Sequence, residues 1–146
     1  MIKLKSAKGV DYSKLEQLLK QEKWKEADQE TLRVMLQAAN RVEQGWLECD
    51  DLKNFPYEDL CTINHLWIKY SNGKFGFSVQ KDIWLEVGEK SGYDGEEKLG
   101  DRVGWRKRGD WLSYDFLTFN LPSNALKLIN INLTKTQSLS IQALQA

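Results

Sequence analysis

Apolar positions in the first half of this chain recur at three- and four-residue steps, the period of helices that bury one face. Leu15, Leu18 and Leu19 accompany a Ser13-x-x-Glu16 pair of capping-box form, which predicts a helix beginning near Asp11 and running to about Gln21. Trp24, Ala27, Thr31, Val34, Met35 and Ala38 form a second stripe and predict another helix from about Lys23. Together they read as a helical hairpin with the outline of one tetratricopeptide unit. No second copy follows at a spacing of about 34 residues, so a repeat solenoid is rejected. Gly45 and Asp50-Asp51-Leu52 mark a connection. Pro56 suits the first position of a third helix, where its missing N–H would have had no partner. Leu60, Ile63, Trp67 and Tyr70 supply that helix's apolar stripe, and Ser71-Asn72-Gly73 ends it, with Gly73 suited to a left-handed cap. Phe75-Gly76-Phe77-Ser78 then leads into a fourth helix reaching about Val87, with Val79, Ile83, Trp84 and Val87 on one face. Trp67 and Trp84 are expected in one core.

The pattern changes after Gly88. Residues 88–110 hold six of the ten glycines among many charges, a loop composition. A loop of this length is usually functional or mobile. Residues 111–122 are dense in aromatics and end at Pro122, and are read as a packed loop with a short helical turn. In residues 123–146, Asn, Ser, Thr, Gln and aliphatics dominate and no charge follows Lys135, so neither helix nor strand is assigned.

A length of 146 residues suits one domain. Twenty-one basic residues balance twenty-one acidic ones, so the overall charge gives no signature of nucleic-acid or anionic-membrane binding. The apolar runs are too short for a membrane span, and Met1-Ile2-Lys3-Leu4-Lys5 lacks the features of a secretory signal. Cys49 and Cys61 are read as reduced thiols. With one histidine, His65, and no Cys-x-x-Cys, no zinc or iron site is expected; His65 reads as a structural or surface residue rather than an axial ligand. Gly-rich phosphate loops are absent. Asp50/Asp51 and Glu96/Glu97 are adjacent pairs in polar connections, better suited to solvating loops than to sharing a proton. Arg102, Arg106, Lys107 and Arg108 cluster around Trp105. They read either as a solvated charge run or as guanidinium donors for carboxylates.

One stretch carries a family resemblance. Trp46-Leu47, Phe55-Pro56, Asp59-Leu60, Ile63, Leu66-Trp67, the run Ser71-Asn72-Gly73-Lys74-Phe75-Gly76-Phe77-Ser78-Val79-Gln80 and then Trp84 closely resemble the core of the genomes-uncoupled-four (GUN-four) family. Gly9-Val10-Asp11-Tyr12 and Trp24-Lys25-Glu26-Ala27-Asp28 look like that domain's opening, and Gly104-Trp105, Trp111 and Leu117-Thr118-Phe119 follow its pattern downstream. The resemblance covers residues 8–122, with 1–7 as a lead-in and 123–146 as a divergent tail. It implies an all-α, compact multi-helix domain with a concave, loop-rimmed cleft for protoporphyrin IX, its magnesium form or a bilin. It also implies a non-enzymatic protein that activates magnesium chelatase, with the chelatase's large subunit as partner, in a cyanobacterial cytoplasm or a plastid stroma. The porphyrin or bilin would be a reversible ligand and not a covalent cofactor. No nucleic acid or transmembrane segment is implied, and peripheral membrane contact stays open. By resemblance the aromatic contact positions fall near Tyr114 and Leu117, the former after a one-residue gap, and Cys49 takes a cleft position usually held by a larger apolar residue. With the neighbouring aromatics and cations, the candidate ligand-binding residues are Cys49, Arg102, Trp105, Arg106, Trp111, Tyr114, Phe116, Leu117 and Phe119. Beyond Pro122 the family's Ala-Pro-x-Gly-His-Leu-Pro element and the arginine-bearing segment after it are missing.

Two further functions compete with a tetrapyrrole carrier. The altered tail favours a sensory or protein-interaction module on the same scaffold with weakened or altered tetrapyrrole binding. An enzyme acting on a tetrapyrrole ranks last, because the sequence presents no acid/base pair or redox centre.

Overall fold

Three amphipathic helices carry the core. The computed structural model describes residues 3–45, 47, 50–51, 54–79, 82, 101–102 and 106–111. Within these, helix α1 spans Ser13–Lys20, α2 Trp24–Ala38 and α3 Tyr57–Tyr70, followed by a two-stranded antiparallel hairpin of β1 (Arg106–Lys107) and β2 (Asp110–Trp111). Residues 77–79 are helical, where the fourth helix was expected to begin; of its expected apolar face Val79 is half-buried, while Ile83, Trp84 and Val87 lie outside the described residues.

Most of the positions named from periodicity are buried, Leu18, Trp24 and Tyr70 being only partly so and Leu66 joining them. Leu15 and Leu19 of α1, Ala27, Val34 and Met35 of α2, and Ile63, Leu66 and Trp67 of α3 meet in one cluster that also takes in Tyr12, Leu47, Phe75 and Phe77. Trp67 and Phe75 of this cluster form an aromatic triad with the partly buried Trp24 at its edge. The two indoles stack at 6.2 Å, and each meets the Phe75 ring edge-on, at 5.4 and 5.9 Å.

Helix ends depart from the sequence reading in three places. Ser13 is the first helical residue rather than the cap. Tyr12 occupies the cap position without a side-chain bond, and Asp11 Oδ1 accepts both the backbone N–H (2.9 Å) and the hydroxyl (2.7 Å) of Ser13. Glu16, expected to close a capping box, instead accepts the Tyr70 hydroxyl at 2.9 Å and so joins α1 to α3. Pro56 is the cap of α3, one residue before the first helical position; its carbonyl accepts the Leu60 N–H at 3.0 Å.

All three helices finish in Schellman turns with a non-glycine residue in the left-handed position: Glu22 (φ 56°), Asn40 (φ 59°) and Asn72 (φ 57°). The signature bonds run from Lys23 N to Leu18 O (3.0 Å), Arg41 N to Leu36 O (2.8 Å) and Gly73 N to Ile68 O (2.9 Å). After α3 the left-handed cap is therefore Asn72, with Gly73 (φ 81°) next along. Asparagine tolerates that conformation better than most residues, and glycine then extends it without strain.

The helical class expected from sequence stands, with one addition. Within the span read as a loop, residues 106–111 form a hairpin whose two central residues, Arg108 (φ 54°) and Gly109 (φ 85°), both have positive φ, as a type I′ turn requires. Arg-Gly is a poor sequence signal for that turn compared with Asn-Gly or Asp-Gly.

Candidate functional site

The run Ser71–Gln80 is the most specific stretch of the sequence, and through Val79 the structure gives most of its residues a structural task. The Ser71 hydroxyl donates to Trp67 O (2.5 Å) and accepts the Phe75 N–H (2.9 Å), tying the end of α3 to the chain that leaves it. Phe75 and Phe77 are fully buried. Gly76 sits between them at φ 153°, where a Cβ would lie 2.8 Å from Ile68 Cγ1 and 3.0 Å from Asn64 Oδ1. Asn64 Oδ1 also accepts the Ser78 N–H at 3.0 Å, while its Nδ2 donates to Ser78 Oγ at 3.2 Å. A side chain of α3 thus caps the helix beginning at residue 77, serving an N–H that the new helix cannot bond internally. These residues set the direction in which the chain moves on.

On the other flank of α3, Asp59 is buried and satisfied by three donors: the Tyr12 hydroxyl at 2.6 Å, the Ala7 N–H at 2.9 Å and the Ser6 hydroxyl. Burial, followed by the Asp59 hydrogen bond, pushes the Tyr12 hydroxyl well above the usual tyrosine range. Thr62 Oγ1 donates to Lys5 O at 2.7 Å, which pins the lead-in segment against the helix. His65 is exposed on the same helix, in agreement with a surface histidine, and Cys61 is a free, half-buried thiol. Among the described residues, no three His, Cys, Asp or Glu side chains form a group able to hold a metal ion.

Two open depressions occur beside α3. One of about 490 Å³ is lined by Lys3, Lys5, Tyr57, Glu58, Cys61, Thr62 and His65. Another of about 390 Å³ lies at the end of α2, where Arg41 Nε reaches Asp51 at 2.8 Å. Neither has the aromatic walls that a large flat apolar ligand needs.

The candidate residues that can be placed lie at the hairpin. Arg106 opens β1, and its backbone pairs in register with Trp111 of β2. Its side chain is only 7% exposed; Nε donates to Asp101 Oδ1 at 3.1 Å and Nη2 to Gly109 O at 2.8 Å. Arg102, in the helical turn that also holds Asp101, is exposed, as are Lys107 and Arg108. Arg102, Arg106 and the backbone of Trp111 are thus brought to one short segment, while Cys49, Trp105, Tyr114, Phe116, Leu117 and Phe119 lie outside the described residues. Sequence reading missed Asp101 as the partner of Arg106 and Asn64 as a cap. An Asp five residues before an Arg has no helical or strand register to flag it, and Asn64 acts across fourteen residues of chain.

The family profile described as GUN4-like matches residues 5–144, nearly the whole chain. The chain belongs to this family. Among relatives of the GUN4-like chain, a Ycf53-like protein of Synechocystis is 35% identical over 132 residues, covering 87% of this chain and 54% of that protein. The chain therefore spans about half the length of that relative. A protein of Arabidopsis thaliana named as a chloroplastic tetrapyrrole-binding protein is 41% identical over 75 residues, 50% of this chain and 28% of its own length. In three dimensions, GUN4 from Chlamydomonas reinhardtii superposes with a TM-score of 0.77 at 28% identity, covering 97% of this chain and 94% of that one. No described helix is long and apolar enough to cross a membrane.

Proposed function

We propose that this GUN4-like chain binds a tetrapyrrole reversibly and without catalysis, in a cleft to which the 101–111 segment contributes cations. The observation that carries this reading is the agreement of a GUN4-like profile with nearly the whole chain, joined to a relative whose name states tetrapyrrole binding. The ligand is protoporphyrin IX, its magnesium form or a bilin, and the bound protein activates magnesium chelatase through the chelatase's large subunit, in a cyanobacterial cytoplasm or a plastid stroma. Such a ligand is a flat apolar macrocycle with two carboxylates, so it asks for aromatic walls and a few well-held cations. Trp105, Trp111, Tyr114, Phe116, Leu117 and Phe119 are the proposed wall, with Cys49 as a further proposed cleft residue, and Arg102 and Arg106 head the cationic edge. Absence of the family's arginine-bearing tail segment removes charge-assisted partners worth about 1.5–3 kcal/mol each. Binding should be at least about tenfold weaker than in relatives that keep that segment.

Absorbance and tryptophan-fluorescence titrations with protoporphyrin IX, magnesium protoporphyrin IX and a bilin test the reading. A Soret shift with saturable quenching is expected. Absence of both at high micromolar ligand defeats it in favour of a protein-interaction module, the second reading, which the missing tail element supports.

A further inference from the structure

The depression of about 490 Å³ beside α3 takes no part in the tetrapyrrole reading, and its walls come from two pieces of chain that the fold holds together. Tyr57, Cys61 and His65 follow one another at four-residue steps, so they share one face of α3, and none of the three is buried. The lead-in segment forms the other wall. Leu4 packs against the core, while Lys3 and Lys5 on either side of it both line the depression. Three bonds fix that backbone to α3: Thr62 Oγ1 donates to Lys5 O at 2.7 Å, and Asp59 accepts the Ser6 hydroxyl and the Ala7 N–H. The two lysines therefore start from an anchored backbone on one rim.

Tyr57 is the unusual member of the helical wall. It is 62% exposed, one of two large apolar side chains so exposed among the described residues. Its hydroxyl donates to the Cys61 sulfur one turn on, which ties the ring along the helix. A tethered aromatic gives up little freedom when a partner covers it, and tyrosine is among the residues that most often anchor protein interfaces. The chain as a whole has balanced charge, but this lining sets two lysines against one acid, Glu58. A nucleic acid would bring a phosphate at every step past Glu58 and would need a longer row of cations than this rim offers. A short peptide segment with a few carboxylates and an apolar side chain meets both the rim and the ring.

We propose that this depression docks an acidic segment of a partner protein, with carboxylates on Lys3 and Lys5 and an apolar side chain against Tyr57 and Cys61. The assignment is independent of tetrapyrrole binding, for which other residues are proposed.

The test uses the whole chain and a dye-labelled peptide, Glu-Asp-Leu-Phe-Glu-Asp, beside a twin in which Gln and Asn replace the acids. Fluorescence anisotropy measures both. Saturable binding of the acidic peptide is expected, at least about tenfold tighter than that of its neutral twin. Lys3→Glu/Lys5→Glu and Tyr57→Ala should each weaken it at least about tenfold. Lys14→Glu/Lys23→Glu, the same charge change on exposed residues outside the depression, should leave it within about twofold. All the altered side chains are exposed, so thermal melts should match that of the unaltered chain. Bound peptide should also slow alkylation of Cys61 by a maleimide, read by mass spectrometry of the labelled fragment. Equal weakening by the two lysine double variants would mean that the peptide follows overall charge, and unchanged Cys61 alkylation at saturating peptide would place it elsewhere; either result overturns the proposal. A single-stranded DNA hexamer that binds as tightly as the peptide would overturn it in favour of a general polyanion patch. A concentration-dependent dimer in sedimentation that Tyr57→Ala abolishes would overturn it in favour of a second copy of the chain. No binding of the acidic peptide at high micromolar concentration would end it outright.

Discussion

The indole N–H of Trp67 donates to the hydroxyl of Thr31 at 2.9 Å, in the fully buried interface of α3 and α2. Thr31 in turn donates to Ala27 O at 2.8 Å, so the one polar atom of the largest core side chain ends in the backbone of the neighbouring helix. Thr31→Val keeps the shape and deletes the acceptor. It should cost about 1–3 kcal/mol, the penalty for a buried donor without a partner. Trp67→Ala, which also empties the centre of the aromatic triad, should cost about 3–5 kcal/mol. Urea unfolding followed by far-UV circular dichroism measures both, and a loss below about 1 kcal/mol for Trp67→Ala would show that α3's buried face is misassigned.

Gly76 is required by space as well as by its φ of 153°. Gly76→Ala should destabilise by about 1–3 kcal/mol, because the new methyl meets Ile68 Cγ1 at 2.8 Å in a packed interior. Shortening the neighbour in an Ile68→Ala background should make the Gly76→Ala step less costly. A double-mutant cycle reads this coupling, and strictly additive losses would place the strain in the backbone alone.

Tyr12 makes stability fall at alkaline pH. Burial and the Asp59 contact raise its hydroxyl above the usual tyrosine range, so the folded chain keeps a proton that the unfolded chain releases near pH 10. The stabilisation is complete below that pH and declines above it, by up to about 1.4 kcal/mol per pH unit for one proton. Tyr12→Phe should be less stable at neutral pH, yet lose less on going from about pH 9 to 11. Parallel curves for the two proteins in chemical denaturation across that range would exclude Tyr12 as the source.

On the proposed function, Tyr114→Ala should weaken protoporphyrin IX and its dimethyl ester alike, since an aromatic wall acts on the macrocycle and not on its acids. Arg102→Ala should instead weaken the diacid and spare the diester, since a guanidinium acts on the acids. Fluorescence titration decides, and a Tyr114→Ala effect confined to the diacid would take that residue out of the apolar wall.

Periodicity alone located the three described helices and their buried faces, because a helix that packs on one side must repeat its apolar residues every three or four positions. Leu15, Leu19, Met35, Ile63 and Trp67 were legible in this way. Family membership was legible for a related reason: residues Ser71–Val79 carry a dense set of structural requirements against the end of α3, and such a set leaves a compact motif. Other features depend on side chains meeting across the chain. Glu16 had the form of a capping box but found Tyr70 on another helix, and Asn64 capped a helix it does not belong to. Arg106 looked like any member of a charge run until the fold brought Asp101 and Gly109 O to it from two directions. Linear spacing records which surface a residue can share with its near neighbours. Which donor meets which acceptor is decided only when packing fixes the helices and turns relative to one another.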